Sequence, residues 1–83
     1  MYPFLTMNDH TEIGYSHLLD SGRVKIYVEK PDEHDGFHHA VCFLPGCRWE
    51  DIVGFSDAEI QEYQEVIESS AEQIMRLAAS GKG

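Results

Sequence analysis

The stretch from Phe55 to Leu77 constrains this chain more than any other part of it. Ser56-Asp57-Ala58-Glu59 is a capping box: the serine hydroxyl accepts from the amide three residues on, and the Glu59 carboxylate reaches back to the cap amide. Phe55 and Ile60 stand at the two positions of a hydrophobic staple. From there Ile60, Tyr63, Val66, Ile67, Ala71, Ile74 and Leu77 recur at three- and four-residue spacing, while Glu62, Glu65, Glu68, Glu72 and Arg76 fill the other side. Early acids and a late arginine suit the helix dipole, and Gly81 supplies a stop. The pattern predicts one long helix over 57–80, about 36 Å at 1.5 Å per residue. Such a helix draws most of its stability from burying its apolar stripe, so the rest of the chain must supply a layer to receive it.

That layer is upstream. Residues 23–30 alternate cleanly, Val24, Ile26 and Val28 facing inward and Arg23, Lys25, Tyr27 and Glu29 outward. Residues 11–19 alternate too, with Ile13, Tyr15, His17 and Leu19 on one side, and Asp20-Ser21-Gly22 links the two runs as a hairpin. Residues 36–44 carry apolar groups on both faces, which suits a central strand, and Pro45-Gly46 ends it. Residues 2–7 form a short first strand, placed at an edge by Pro3. Residues 47–54 carry no clear period, and Trp49, Ile52 and Val53 are expected to cap one end of the core. The expected fold is α+β, a single domain over 1–83: an antiparallel sheet of three to four strands (2–7, 11–19, 23–30, 36–44) packed by the C-terminal helix. The helix outruns an eight-residue strand, about 27 Å long. Its overhang predicts a dimer that meets through Tyr63, Ile67, Ile74 and Leu77.

Charge narrows the function classes. The net charge is −9, and the six basic residues are scattered. A field of that sign repels phosphates and anionic membranes, so the expected partners are a second copy or a small basic protein, with no direct nucleic-acid or membrane binding. The start of the chain has no basic region followed by an apolar run, no stretch reaches the roughly 20 apolar residues of a membrane span, and Cys42 and Cys47 lack a C-x-x-C spacing. A cytoplasmic protein with reduced thiols follows.

Catalytic and metal chemistry find little purchase. Among five histidines, His34 and His38 stand four apart with Asp35 between them, which makes these three the candidates for a metal site. On a strand, however, His38 and His39 point to opposite faces and cannot chelate together. A Cys42 or Cys47 nucleophile needs a histidine base and an electropositive setting; His39 faces away from Cys42, and the surroundings are acidic. No glycine-rich phosphate loop is present. The expectation is a non-enzymatic interaction module without a cofactor; the alternative is a small metal-binding or regulatory domain using the His34 to His39 region.

The segment from Val28 to Cys47 (VEKPDEHDGFHHAVCFLPGC), followed by Gly54-Phe55-Ser56-Asp57-Ala58-Glu59, resembles the HicB-like antitoxin domain over roughly residues 24–77. The matching pieces are Pro31-Asp32, Asp35-Gly36, Leu44-Pro45-Gly46-Cys47 and the capped helix. The link from Cys47 to the helix is longer than the family's, the first twenty residues read as an added hairpin, and neither a DNA-binding segment nor a further strand follows the helix. The resemblance implies an acidic partner for a small basic toxin ribonuclease. It implies no catalysis, and no catalytic residue carries over.

Overall fold

The computed structural model describes residues 2–7, 10–32 and 36–80. Five strands, β1 (Tyr2–Thr6), β2 (Glu12–Tyr15), β3 (Val24–Asp32), β4 (Gly36–Leu44) and β5 (Arg48–Val53), precede two helices, α1 (Asp57–Ser69) and α2 (Ala71–Ala79). The strands form one antiparallel sheet in the order β1-β2-β3-β4-β5. Both helices contribute to a core on one side of it. Period-two alternation decides which side chains they cover. Val24, Ile26 and Val28 of β3, and Ala40, Cys42 and Leu44 of β4, are buried against Tyr63, Ile67, Ile74 and Ala78.

The expected α+β architecture is present, with one more strand and one more helix. The strand absent from the sequence reading is β5. Its alternation is broken by a bulge of one extra residue between Glu50 and Val53, opposite His39 and Val41 of β4, where Asp51 adopts φ 51. Trp49 faces Cys42 and donates its Nε1–H to Gln64 Oε1 at 3.0 Å, so it does pack on the core. Ile52 and Val53 do not cap the core: they are 45% and 48% exposed. The strand expected over 11–19 ends at Tyr15, because the Ser16 hydroxyl accepts from the Lys25 amide at 3.0 Å and donates to the His17 carbonyl at 2.8 Å. His17 is then exposed rather than inward.

The single helix expected over 57–80 is divided at Ser70, whose φ −108 and ψ 3 leave the helical region. Ser69 Oγ donates to the Val66 carbonyl at 2.9 Å, and the Ser70 amide is shared between the Val66 and Ile67 carbonyls. Both pieces nevertheless bury residues in the same core, Tyr63 and Ile67 from α1 and Ile74 and Ala78 from α2. The Leu18 amide donates to the Ala78 carbonyl at 3.4 Å, tying the end of α2 to the chain beyond β2. The capping box at Ser56 forms as the sequence requires: Glu59 N–H donates to Ser56 Oγ at 3.2 Å, and Ser56 N–H to Glu59 Oε1 at 2.9 Å.

Two substitutions probe this packing. Ile74 is fully buried, so Ile74→Ala is expected to lower unfolding free energy by about 2–5 kcal/mol, by the same amount at every protein concentration in urea titrations. Gly54 holds φ +90, and a Cβ there would stand 2.7 Å from His38 Cγ. Gly54→Ala is expected to cost about 2–4 kcal/mol from strain and overlap together. His38→Ala in the same background should recover the overlap part alone, measured by denaturant midpoint.

Candidate interaction surface

Helices cover one face of the sheet; the opposite face carries the residues that alternation turns outward. Strand register arranges these in rows across the sheet. The middle row runs Pro3, Gly14, Tyr27, Val41, Glu50. On one side of it lies a row of Lys25, Phe43 and Arg48. Arg23 joins this row, its Cζ 4.5 Å from the Phe43 ring centroid, while Lys25 Nζ stands 5.0 Å from the centroid of Tyr27. On the other side lies a row of Thr6, Glu12, Glu29, His39 and Val53. The face therefore grades from cationic, through an apolar centre, to acidic. Tyr27, Val41 and Phe43 are half-buried, screened in part by the cationic side chains laid over their rings.

Glu12 and Glu29 are direct cross-strand partners. Like charges so placed oppose sheet pairing by a few tenths of a kcal/mol, up to about 1. Among the described residues, neither glutamate is in an ion pair, and neither is Arg48. Pro3, Leu5, Thr6, Glu12, Ile13 and Gly14 line a hollow at the β1–β2 end of the sheet.

The stripe expected at a dimer interface sits elsewhere. Tyr63, Ile67 and Ile74 are at most 1% exposed, enclosed by the chain's own sheet, and Leu77 is half-buried against the same core. Tyr63 instead meets Thr11 Oγ1 through its hydroxyl at 3.3 Å and packs edge-on to Phe55, with centroids 5.1 Å apart. Of the metal candidates, His34 and Asp35 lie outside the described residues. His38 turns inward, its ring edge-on to Phe55 at 5.6 Å and both ring nitrogens buried, while His39 belongs to the open face. Among the described residues, no three His, Cys, Asp or Glu side chains converge as a metal-binding group.

Cys42 and Cys47 are free and buried, with their sulfurs 3.5 Å apart. In the neutral pair Cys47 donates to Cys42. When one proton leaves, the remaining proton stays on Cys42 and donates to a Cys47 thiolate. That hydrogen bond pulls the Cys47 pKa below the ordinary thiol value, against burial and the Glu68 carboxylate. The same hydrogen bond, then burial, then the negative charges of Cys47 and Glu68, push Cys42 upward.

No protein-family model, curated protein or solved structure matches the chain. None of these comparisons supports the HicB-like resemblance. Among the described residues, no helix is long and apolar enough to cross a membrane.

The thiol pair makes a directional prediction. As pH rises toward the thiol range, limiting iodoacetamide should label Cys47 first, because its thiolate forms at the lower pH, and Cys42 should label only after denaturation. Peptide mapping by mass spectrometry reads the order. Equal labelling of the two in the folded protein would contradict the assignment.

Proposed function

We propose that this chain is a non-enzymatic protein-interaction module that works by docking its uncovered sheet face, self-association included. The observation that carries the reading is the one-sided helix layer. It leaves Tyr27, Val41 and Phe43 at the centre of an open face, bordered by charges of both signs that form no ion pair among the described residues. An aromatic and aliphatic centre with a charged rim has the anatomy of a protein interface. Size points the same way. A chain of this length buries only about 60% of the surface it exposes when unfolded, so covering one more face stabilises it appreciably. The free thiols suit a reducing, cytoplasmic setting.

The exposed side of the helices supports a second, antitoxin-like mode. Asp57, Glu62, Glu65, Glu68 and Glu72 are exposed there, against Arg76 as the opposing charge, itself paired with Glu72 at 2.9 Å. A small basic protein is the partner such a surface would attract.

Light scattering at about tens of micromolar, a concentration suited to a small and partly polar interface, tests the first mode. The wild-type chain should have the mass of a dimer. Tyr27→Glu and, separately, Phe43→Glu should reduce it to a monomer with unchanged far-UV circular dichroism. Glu65→Lys with Glu72→Lys should leave the dimer mass intact, because those residues belong to the other surface. A wild-type monomer, or a dimer indifferent to both open-face variants, would sink the reading.

A further inference from the structure

We propose that Cys42 and Cys47 form a peroxide-sensitive modification site: oxidation joins them in a disulfide within one chain, and a small thiol reopens it. The pair belongs to the core on the helix side of the sheet, so its chemistry is independent of the interaction-module reading.

Placement carries the proposal. Cys42 is on β4, among the side chains that alternation sends into the core, and is wholly buried. The turn over 45–47 brings the chain back, with Gly46 at φ 98 and Cys47 at φ 48. A left-handed backbone disfavours a residue with a side chain, and strained positions of this kind collect at functional sites. Here the result is a Cys47 Sγ that lies 3.5 Å from Cys42 Sγ, with both thiols free. The sulfurs of a disulfide lie about 2.05 Å apart, so closure from 3.5 Å needs about 1.5 Å of movement. Rotation about the two Cα–Cβ bonds supplies most of it, and Pro45 and Gly46 are exposed, so the turn has room to shift. Among the described residues no third His, Cys, Asp or Glu joins the pair, which leaves it short of the four ligands of a structural zinc site.

The two thiols are unequal, and that sets the order of events. Cys47 sits in a surface turn and is 5% exposed, whereas Cys42 is 0% exposed. The reachable sulfur is also the one that ionises more readily, because Cys42 donates its proton to the Cys47 thiolate. Such slight access admits a molecule little larger than water, which selects hydrogen peroxide as the oxidant. The Cys47 thiolate attacks one peroxide oxygen: an S–O bond forms, the O–O bond breaks, and the departing hydroxide takes up the proton that Cys47 gave to solvent. Cys42 Sγ then attacks the Cys47 sulfur. The S–S bond forms, the S–O bond breaks, and the leaving hydroxide takes the Cys42 proton as water. The sulfurs lose two electrons, and the peroxide ends as two waters. Two equivalents of a small thiol reverse the change by exchange. The bond ties the turn leading into β5 to β4, and Arg48, the first residue of β5, follows Cys47 directly. In a reducing compartment such a bond is transient, as redox-sensing disulfides are.

Limiting hydrogen peroxide on the folded, reduced chain at neutral pH, read by mass spectrometry, tests the site. The expected product is a monomer about 2 Da lighter, with the change confined to a peptide holding both cysteines and reversed by dithiothreitol. Cys42→Ala removes the resolving sulfur, and dimedone should then trap Cys47 as a sulfenic acid. Cys47→Ser removes the attacking sulfur, and Cys42 should oxidise at least about tenfold more slowly than the wild-type pair. A wild-type chain that accumulates Cys47 sulfinic acid, links between chains, or oxidises only when unfolded in urea overturns the proposal. So does oxidation of Cys42 at the wild-type rate in a folded Cys47→Ser. The wild-type product decides the matter even where a variant fails to fold, and none of these readouts depends on association.

Discussion

Everything in this fold depends on one apolar contact: the inward side chains of β3 and β4 against the stripe of α1 and α2. Val24, Ile26, Val28 and Cys42 are wholly buried there, with Tyr63, Ile67 and Ile74 across from them. At about 1.5–3 kcal/mol for each large apolar side chain buried, this layer supplies most of what opposes chain entropy. Its second effect is on what remains. A strand turns alternate residues to opposite faces, so each residue given to the core assigns its neighbour to the other side. Both helices are used on one face. The other has none, and it acquires its character from residues that β3 and β4 have left over.

Those leftovers were partly readable in the sequence. Arg23, Lys25, Tyr27 and Glu29 alternate with Val24, Ile26 and Val28 so cleanly that their outward direction follows from the pattern alone, and the capped start of α1 is equally plain. Rows across strands are different. They depend on register, and register through β5 depends on a bulge and on the left-handed Asp51, neither of which leaves a period in Arg48–Val53. Nor does the division of the helix. Ser69 and Ser70 lie on an apolar pattern that continues unbroken from Ile67 to Ala71 and Ile74, and only the hydroxyl's bond back to the Val66 carbonyl reveals the bend. Tyr63 and Ile67 lie before the break and Ile74 after it, and all three are buried in the core.

The sheet's edges bear on where another chain can join. An open edge strand invites pairing. Here both edges are interrupted. Strand β1 carries Pro3 and a register shift between Pro3 and Leu5; β5 carries the Asp51 irregularity with Glu50 beside it. Irregular, charged edges resist the addition of a strand, which leaves the broad face as the better place to bury apolar surface. Arg23 over Phe43 and Lys25 near Tyr27 partly screen that face from water in the single chain. Such cover is reversible, since a long cation can swing from a ring to a carboxylate at a distance set by its flexible stem.

A net charge of −9 on each copy opposes the pairing of two copies. Where the charges sit decides the matter. The exposed acids of α1 and α2 lie behind the sheet, so in a face-to-face pair they are separated by two sheets and two helix layers, on the order of 30 Å at about 10 Å per layer contact. At physiological ionic strength the screening length is about 8 Å, and repulsion across more than three such lengths is small. Charges on the sheet face itself, among them Lys25 and Glu29, would lie within one such length of a docked partner and be partly desolvated on contact, where opposite charges attract far more strongly than in water. The character of a partner for the sheet face is therefore decided by the residues on that face and not by the global sign, because the acids that dominate the net charge sit on the helix side.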